Sequence, residues 1–493
     1  MSDLDSVRER VLRLAFRTAR SLPGAAGGMG VYFSAQQRLA EDPRYAGWRR
    51  DVATMLRRAD RRFLRGHVAS ALRWYDKALR ISYDPSLHQT GGSPLAQDPD
   101  AFLRPLRQSA LGTVLLDGTV PEGTAPPRPA PRRRGEDEPL RLVVVAQENW
   151  TFMRPLLAAL RATGRYEVQE IEVDDLPDGG FPDRERIIRG RYDLLTTGRR
   201  MPTPPALVEA FEWADVVLVE WSHHVLTWMT LLDRAPRRLM ARIHRFEAFT
   251  PFVLLHDHRR IDRMLYVSPP VWAMLTTIAP GYSDVPSSQV GNLLARGVEQ
   301  LPREAHDPHL LVQIGWIREV KDVLFSLDVL TRLRQHDERY RLQLVGPALQ
   351  GDEARDTPYQ RRVRAALGRF PDGVVEQLGV RDDVPSLLAQ SGAILSSSRH
   401  EGTHESLMEA LVVGCPAVIR DWPDTVAYGG PATLYCPDWV VADADAAAQR
   451  ILELADPQRY REESADAREF ALAHRDPAVV VAGYEHVLQD PTA

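Results

Sequence analysis

The chain has 493 residues, of which 44% are apolar and 26% charged, and its net charge is −5. This length exceeds what one hydrophobic core organises, so two or three domains are expected, and the composition is that of a globular protein. No apolar run is long enough to cross a bilayer, the arginine-rich N-terminus lacks the apolar middle of a secretion signal, and Cys415 and Cys436 provide neither a disulfide framework nor a metal-ligand spacing. A reducing cytoplasm is therefore the expected compartment, with peripheral attachment to a membrane as a further option.

Residues 1–116 are predicted to form a small all-α accessory domain. Apolar residues recur at helical spacing in two successive segments: Val52, Met55, Leu56, Ala59 and Phe63, and then Val68, Ala71, Leu72, Tyr75 and Leu79. The second segment follows Gly66 and ends before Pro85, which resembles the second half of one tetratricopeptide repeat. Since a solenoid needs about three or more repeats, a single helical hairpin is predicted.

The first of these helices, residues 50–65, is strongly basic. Residues 44–80 contain 11 Lys+Arg and three Asp. Such a surface can bind an anionic polymer, an anionic membrane or a partner protein, or it can be an ordinary solvated face. No nucleic-acid motif accompanies it, so no nucleic acid is predicted as a partner.

Residues 117–139 are rich in proline and charge and are predicted to be an extended linker that buries nothing. Strand and helix patterns then alternate through residues 140–303. The predicted strands are Leu142–Ala146, Glu167–Val173, Asp215–Glu220, Leu239–Ile243 and Met264–Val267, and the predicted helices are Met153–Ala162 and Leu226–Leu232. Short apolar strands separated by helices indicate a parallel sheet that is covered on both faces.

The alternation restarts in residues 304–470, which predicts a second α/β domain across a hinge at residues 292–307. Its predicted strands are Leu310–Ile314, Arg341–Val345, Val374–Leu378, Ala393–Ser397, Ala417–Ile419 and Thr433–Tyr435. Its predicted helices are Val323–Arg334, Thr357–Phe370, Val384–Ala389, Leu407–Val413, Asp443–Asp456 and Ala465–Leu488. The end of the last helix, within residues 471–493, is a candidate to cross back to the first α/β domain.

Residues 392–418 are the most informative segment. They predict a buried strand, a polar loop, and a helix that opens near Ser406, with the carboxylates Glu401 and Glu409 on either side of the loop-to-helix passage. A helix N-terminus after a parallel strand presents free N–H groups and the positive end of a dipole, so an anionic ligand is expected there.

Residues 310–460 resemble the donor domain of family-4-type glycosyltransferases of the GT-B fold, two Rossmann-like domains that face each other across a cleft. The matching residues occur in the family's order: Gly315, Arg318, Lys321, Gly346, Gly379-Val380, Glu401-Gly402, Glu409-Ala410 and Gly414 to Val418. The first α/β domain resembles the family only in outline. The resemblance implies a retaining, metal-independent transferase of the hexosyl or N-acetylhexosaminyl class. Its expected donor is a nucleotide-diphosphate sugar, with UDP as the expected nucleotide, and its acceptor is unidentified, with an anionic polymer or a cell-envelope glycan among the candidates.

The resemblance also implies a role for each matching residue. Glu409 would accept hydrogen bonds from two ribose hydroxyls, and N–H groups around Ser406 and Leu407 would receive the diphosphate together with Arg318 and Lys321. Glu401 and the backbone of Gly402, Thr403 and His404 would hold the sugar. Gly315 and Gly346 belong to the donor site, and the main chain near Gly379 and Val380 would meet the base. A Glu early in a helix also suits the helix dipole, and an Arg such as Arg318 is commonly a solvated surface residue. Lys321, however, is one of only two lysines, with Lys77.

In the first α/β domain, His244 matches a histidine that the family often places near the reacting centre, although a structural role is an equal alternative. His223 and His224 follow another strand end, and because adjacent side chains diverge, no more than one of them is expected to contact a ligand.

The sequence departs from the family at three positions. Gln147 to Phe152 replaces the usual glycine-rich loop, Trp316 stands where an Arg usually follows the glycine of the phosphate motif, and Thr403-His404 replaces an aromatic and small pair. Asp443 and Asp445 have a metal-like spacing, but a helix cap explains them better, so no metal and no cofactor are expected. Two alternatives remain open, a nucleotide-sugar epimerase and a non-catalytic binding or scaffold protein of the same fold.

Overall fold

A computed structural model describes residues 24–88, 92–135, 137–294, 298, 306–349, 351, 353 and 356–490. These residues fall into two compact units. The first contains the described part of Met1–Glu148 with Tyr166–Met264 and Leu275–Pro286, and the second contains Asn149–Arg165, Leu265–Met274 and the described part of Ser287–Ala493. The predicted helical stretch thus shares a unit with most of the residues of the first α/β domain.

The N-terminal described stretch is all helical, as predicted. Its helices are α1 (Gly24–Glu41), α2 (Trp48–Phe63), α3 (Val68–Ser82), α4 (Pro85–His88), α5 (Pro94–Gln97), α6 (Pro99–Arg107) and α7 (Ala110–Leu115). The pair α2 and α3 is the predicted hairpin, and its apolar stripes are buried while Arg57, Arg61, Arg62 and Arg65 are exposed. The arginines before residue 24 lie outside the described residues.

The proline-rich segment is extended, but the expectation that it buries nothing is wrong. Val120 is buried, and two arginines fasten the segment to the first sheet. Arg128 donates to both carboxylate oxygens of Asp262, at 3.0 and 2.8 Å, and Arg132 forms a two-point pair with Asp215, at 2.9 and 2.7 Å. Each of these ion pairs has two hydrogen bonds, which hold the segment in one position along the first unit.

The strands form two parallel six-stranded sheets with helices, which confirms the predicted fold class. The first sheet contains β1 (Leu140–Ala146), β2 (Tyr166–Glu172), β3 (Val216–Glu220), β4 (Leu239–Ile243), β5 (Arg263–Tyr266) and β6 (Ser287–Gln289), in the order β2-β1-β3-β4-β5-β6. The helices of this part of the chain are α8 (Met153–Ala162), α9 (Arg184–Thr197), α10 (Pro205–Trp213), α11 (His224–Leu231), α12 (Arg245–Ala248) and α13 (Pro269–Ile278). Four of them, α9, α10, α12 and α13, were not predicted.

The second sheet has the order β12-β11-β10-β7-β8-β9. Its strands are β7 (Asp307–Ile314), β8 (Arg341–Val345), β9 (Val375–Gly379), β10 (Ser391–Ser396), β11 (Ala417–Arg420) and β12 (Val440–Val441). Its helices are α14 (Val323–His336), α15 (Pro358–Leu367), α16 (Val384–Gln390), α17 (Glu405–Val412), α18 (Ala444–Glu453), α19 (Pro457–Arg475) and α20 (Pro477–Gln489).

Consecutive residues of the second sheet point into opposite cores, as a doubly covered sheet requires. Leu311 and Leu395 pack with α14, α15 and α18 on one face, while Val312 and Ile394 pack with α16, α17 and α19 on the other. Each core also contains the side chains that its helices turn toward the sheet. The two cores together hold the carboxyl ends of β7 and β10 in place.

Two predicted elements of the second unit are wrong. Residues 433–435 are not a strand, because Pro431–Thr433 forms a 3₁₀ turn and the last strand is β12. The predicted final helix is two helices, since Asp476 precedes Pro477 and the residue before a proline is driven out of the helical conformation. Helix α20 packs against α8, where Arg165 and Glu485 form an ion pair at 2.6 Å.

Candidate functional site

The candidate site of the second unit lies where the strand order reverses. The chain passes from β7 to β8 and β9 on one side and then returns to β10 on the other side of β7. The loops that follow β7 and β10 therefore diverge from neighbouring carboxyl ends, which is where open α/β sheets bind ligands. The predicted residues Gly315 to Lys321 belong to the first loop and Glu401 to His404 to the second.

An ion pair joins the two loops. Lys321 Nζ lies 2.6 Å from Glu401 Oε1, and Ser398 Oγ donates to the same carboxylate at 2.6 Å. The Lys321 carbonyl accepts from Gln313 Nε2 at 3.0 Å and from Ser397 Oγ at 2.7 Å. Because both its backbone and its ammonium group are held, Lys321 presents a positioned cation with 23% of its side chain exposed.

His404 caps the helix that follows. It has left-handed backbone angles, φ 39° and ψ 69°, which are uncommon for a residue that is not glycine. Its Nδ1 atom lies 2.8 Å from Ser396 Oγ, while its buried Nε2 has no hydrogen-bond partner among the described residues. Burial, assisted by Lys321, lowers the pKa of His404 to about 4, so its imidazole is neutral at pH 7.

The start of α17 differs in detail from the prediction. The helix opens at Glu405, so Glu409 is its fifth residue and belongs to the second turn. The Leu407 N–H donates to the His404 carbonyl at 2.8 Å, and the Leu407 side chain is fully buried. The first-turn N–H of Leu407 is therefore engaged within the helix cap, and Ser406 is the better placed of the two for an anion.

Glu409 is partly buried, and burial together with the Glu405 carboxylate raises its pKa. The Glu405 carboxylate already has three partners within the protein. Asn292 Nδ2 and Thr403 Oγ1 donate to its Oε1, the former at 2.9 Å, and an Arg475 guanidinium nitrogen lies 3.6 Å from the same oxygen. Sequence reasoning missed these supports because Asn292 and Arg475 are more than 60 residues from the motif and carry no spacing signal. They hold the amino end of α17 in place.

Three glycines end the neighbouring strands β7, β8 and β9. Gly315, Gly346 and Gly379 have φ values of 70°, 125° and 70°, a region that side chains disfavour. Backbone hydrogen bonds connect the three strand ends. The Gly315 N–H donates to the Val345 carbonyl and the Gly346 N–H donates to the Gly379 carbonyl, each at 2.8 Å. The edge is thus lined by bare backbone that a ligand can approach closely.

The remaining predicted residues lie further from this network. Arg318 is exposed, and its carbonyl accepts a hydrogen bond from the Lys321 N–H at 2.9 Å. Val380 is 75% exposed directly after β9. His400 and Arg399, which were not predicted, both contact Asp424, at 3.2 and 3.0 Å, and so anchor the loop just before Glu401.

Metal is not indicated by the predicted acidic pair. Asp443 Oδ1 accepts from the Ala446 N–H at 2.9 Å, so it caps α18 as predicted, and Asp445 pairs with Arg332 at 2.5 Å. Within the described ranges no group of three or more His, Cys, Asp or Glu side chains could hold a metal ion. In the same ranges no helix combines the length and apolarity that a membrane span needs.

In the first unit, His244 caps α12 after the end of β4. Its Nε2 lies 3.1 Å from Glu220 Oε1, its ring stacks on Trp221 with centroids 4.3 Å apart, and it is 7% exposed. Glu220 forms a fully buried two-point pair with Arg242, at 2.7 and 2.5 Å. Burial opposes ionisation of Glu220, but Arg242 and His244 outweigh it and lower its pKa to about 2.

The expectation that His223 and His224 diverge is wrong. Their rings stack with centroids 4.3 Å apart at an angle of 18°, and both line one cavity. His223 has non-helical backbone angles as the cap of α11, and this turn brings both rings to the same side. Burial lowers their pKa values to about 3 and about 4, respectively.

Comparisons with known proteins agree with this geometry. Residues 308–456 match the family model for glycosyl transferases group 1. The matched segment contains the whole β7–β10 switch point and both candidate carboxylates.

One curated relative shows a partial likeness to this chain. The chain is 26% identical over 121 residues to glycosyltransferase 1 domain-containing protein 1 of Xenopus tropicalis, a match that covers 24% of this chain and 33% of the relative. The chain thus spans about a third of the length of that curated relative.

Solved structures extend the likeness to both sheets. HepE of Anabaena, crystallised with UDP, has a TM-score of 0.51 and 14% identity, covering 71% of this chain and 99% of its own. A glycosyltransferase of Rickettsia africae has a TM-score of 0.48 and 11% identity. That match covers 71% of this chain and 98% of the other. The likeness to HepE places the two sheets in the GT-B fold.

Proposed function

We propose that the protein is a retaining glycosyltransferase that moves a sugar from a UDP-sugar to an unidentified acceptor. The observation that carries the proposal is the Lys321–Glu401 pair at the switch point of the group 1 region. The UDP complex of HepE, a protein of the same fold, supports the choice of nucleotide.

The leaving group of sugar transfer is a nucleoside diphosphate that gains negative charge as the glycosidic bond breaks. A cation held in position stabilises that charge more in the transition state than in the ground state. Lys321 meets this requirement because its main chain and its ammonium group are both fixed. Arg318 is exposed, and it would add positive charge beside the diphosphate.

The other donor contacts follow from the loops. Glu401 and the backbone of Gly402 and Thr403 would hold the sugar hydroxyls, and the neutral His404 can offer its buried Nε2 to one of them. Gly315, Gly346 and Val380 would border the nucleoside. Fixed cations and the helix N-terminus take the role that a metal has in other sugar transferases, so transfer without added metal is part of the proposal.

A screen of nucleotides and donors tests the proposal. A ligand that binds only the folded protein raises its Tm, so we expect UDP to do so more than GDP or ADP. Incubation with UDP-glucose and UDP-N-acetylglucosamine in EDTA, with a panel of acceptor glycans, is expected to yield a product whose anomeric configuration by NMR equals that of the donor. Absence of binding by every nucleotide would contradict the proposal, as would conversion of the donor sugar without release of UDP.

Replacing Glu409 by Gln is expected to weaken UDP binding about 10-fold or more, because two hydrogen bonds to a carboxylate become neutral ones. In the wild type, affinity should fall as the pH drops through the raised pKa of Glu409, since the protonated acid accepts these bonds less well. The Gln variant should lack this pH dependence. Calorimetry from pH 5 to 8 measures both effects, and an unchanged profile in the variant would remove Glu409 from the site.

Two further predictions concern the binding partners of the enzyme and its cellular compartment. The exposed arginines of residues 50–65 are proposed to contact a partner protein, an anionic polymer or a membrane surface. The cytoplasm is the proposed compartment. Both stay predictions.

A further inference from the structure

A cavity of about 480 Å³ lies inside the first unit, between the N-terminal helices and the first sheet. This volume is in the range of small-molecule sites. On one side are residues of α3 and α4 and of the turn between them, including Arg80, Tyr83 and His88. On the other side are loops that follow β1, β3 and β4.

The cavity lies at the switch point of the first sheet. The chain leaves β1 for β2 on one side and returns to β3 on the other, so the loops after β1 and β3 diverge there. Gln147 from the first loop and His224 from the second meet across it, with His224 Nε2 2.5 Å from Gln147 Oε1. The same rule that locates the donor site of the second sheet therefore locates a ligand site here.

The backbone of these loops carries strain of the kind found at functional sites. Glu148 and Trp221 follow β1 and β3 with φ values of 56° and 63°, although neither is glycine. Such angles are unfavourable for side chains other than glycine and persist where the surroundings enforce them. Glu148 lines the cavity itself.

Arg184, at the start of α9, gives the cavity its chemical preference. Its Nε donates to Asp76 of α3, and its guanidinium lies over the Phe252 ring, 4.7 Å from the centroid. Its NH2 atom is buried and has no hydrogen-bond partner among the described residues. A buried guanidinium nitrogen without an acceptor costs free energy, which an anionic oxygen of a ligand would recover.

The rest of the lining suits a sugar ring. Phe246, which is 47% exposed, and Phe249 line the same cavity as the two stacked histidines, so the lining combines apolar faces with hydrogen-bonding groups. The apolar C–H face of a pyranose can lie on such rings while its hydroxyls meet neutral imidazoles. Aromatic and polar groups in this mixture are typical of specific small-molecule sites.

We infer that this cavity binds the acceptor, a saccharide that carries a carboxylate or phosphate group, and that the N-terminal helices form part of its wall. The inference rests on the proposed function. It assigns the helical stretch a direct part in acceptor selection, with Arg184 holding the anionic group and Phe246 contacting the ring.

Titration of the full chain without donor tests this inference. The probes are glucuronic acid and glucose 1-phosphate, which separate the two sources of negative charge, and maltose, which is neutral. The variants are Arg184→Met and Phe246→Ala, with Arg186→Met as a matched control, because Arg186 is an exposed arginine of the same helix. We expect an anionic probe to bind at least 10-fold more tightly than maltose, and each test variant, but not the control, to lose at least 10-fold.

Equal affinity for maltose and the anionic probes, no binding of any probe, or unchanged affinity in both test variants overturns the inference. Phe246→Ala keeps the test decisive if Arg184→Met unfolds through loss of the Asp76 pair. The increase in Tm with UDP, measured on the same samples, tests the donor site independently. If UDP binds and no saccharide probe does, only the inference about the acceptor fails. If a probe binds and UDP does not, the proposed function fails.

Discussion

Lys321→Met is expected to lower the rate of UDP release from a UDP-sugar about 10²–10³-fold, the loss seen when one positioned electrostatic group is removed from a transition state. The reason is that the diphosphate loses the cation that the Gln313 and Ser397 bonds hold in place. Initial rates with saturating donor and acceptor measure the effect. Turnover at the wild-type rate would exclude Lys321 from the mechanism.

A loss of stability in Lys321→Met would also lower its activity, so stability must be measured beside the rate. Lys321→Met removes one side of the ion pair with Glu401, which is 8% exposed, so the variant is expected to lose stability. The double variant Lys321→Met with Glu401→Gln removes both charges and should recover most of the lost Tm without recovering activity. Arg381→Met is the matched control, because it removes a cation from an exposed pair with Asp383 in the same unit.

Glu220→Gln is expected to destabilise the first unit by about 3–5 kcal/mol, because it removes the carboxylate charge from a fully buried ion pair with Arg242. For a unit of this size the expected fall in Tm is about 6–20 °C. Differential scanning calorimetry measures it, with Glu212→Gln, an exposed carboxylate of α10, as the control. A melting curve like that of the wild type would show that the pair carries little of the stability.

The same pair predicts an acid dependence. The pKa of Glu220 is lowered to about 2 in the folded protein from an ordinary value near 4.5. A depressed pKa stabilises the fold above the unfolded value, and this contribution is lost as the pH falls from about 4.5 toward 2. The wild type should therefore lose stability more steeply than Glu220→Gln over this interval.

The positions of Glu220, Arg242 and His244 also bear on the proposed mechanism. His244 lies 3.1 Å from a carboxylate that is itself held by Arg242, which fixes the orientation of the ring. A structural role and a role near the reacting centre are thus compatible. The resemblance to sugar transferases, and not this geometry, assigns His244 to catalysis, and that assignment stays a prediction.

Local sequence patterns were sufficient to predict the alternation of strands and helices, and with it the two parallel sheets. Apolar runs such as Leu142–Ala146 and helical spacings such as that of Val52 to Phe63 are local signals, and burial on both sheet faces requires them. The order of Lys321, Glu401 and Glu409 resembles that of sugar transferases, and this resemblance implied a donor site; the parallel strands by themselves indicated only that an anionic ligand binds at one edge of the sheet.

The pairing of the side chains, by contrast, is visible only in the folded chain. Nothing in the spacing links Lys321 to Glu401, Arg475 and Asn292 to Glu405, or Arg184 to Asp76, since each pair joins residues far apart in the chain. The packing of the helical stretch against α9 could not be predicted either, because contacts between elements depend on packing and not on local periodicity. Local sequence patterns determine which helices and strands form. The chemistry of a site depends on which of their side chains come into contact in the folded chain.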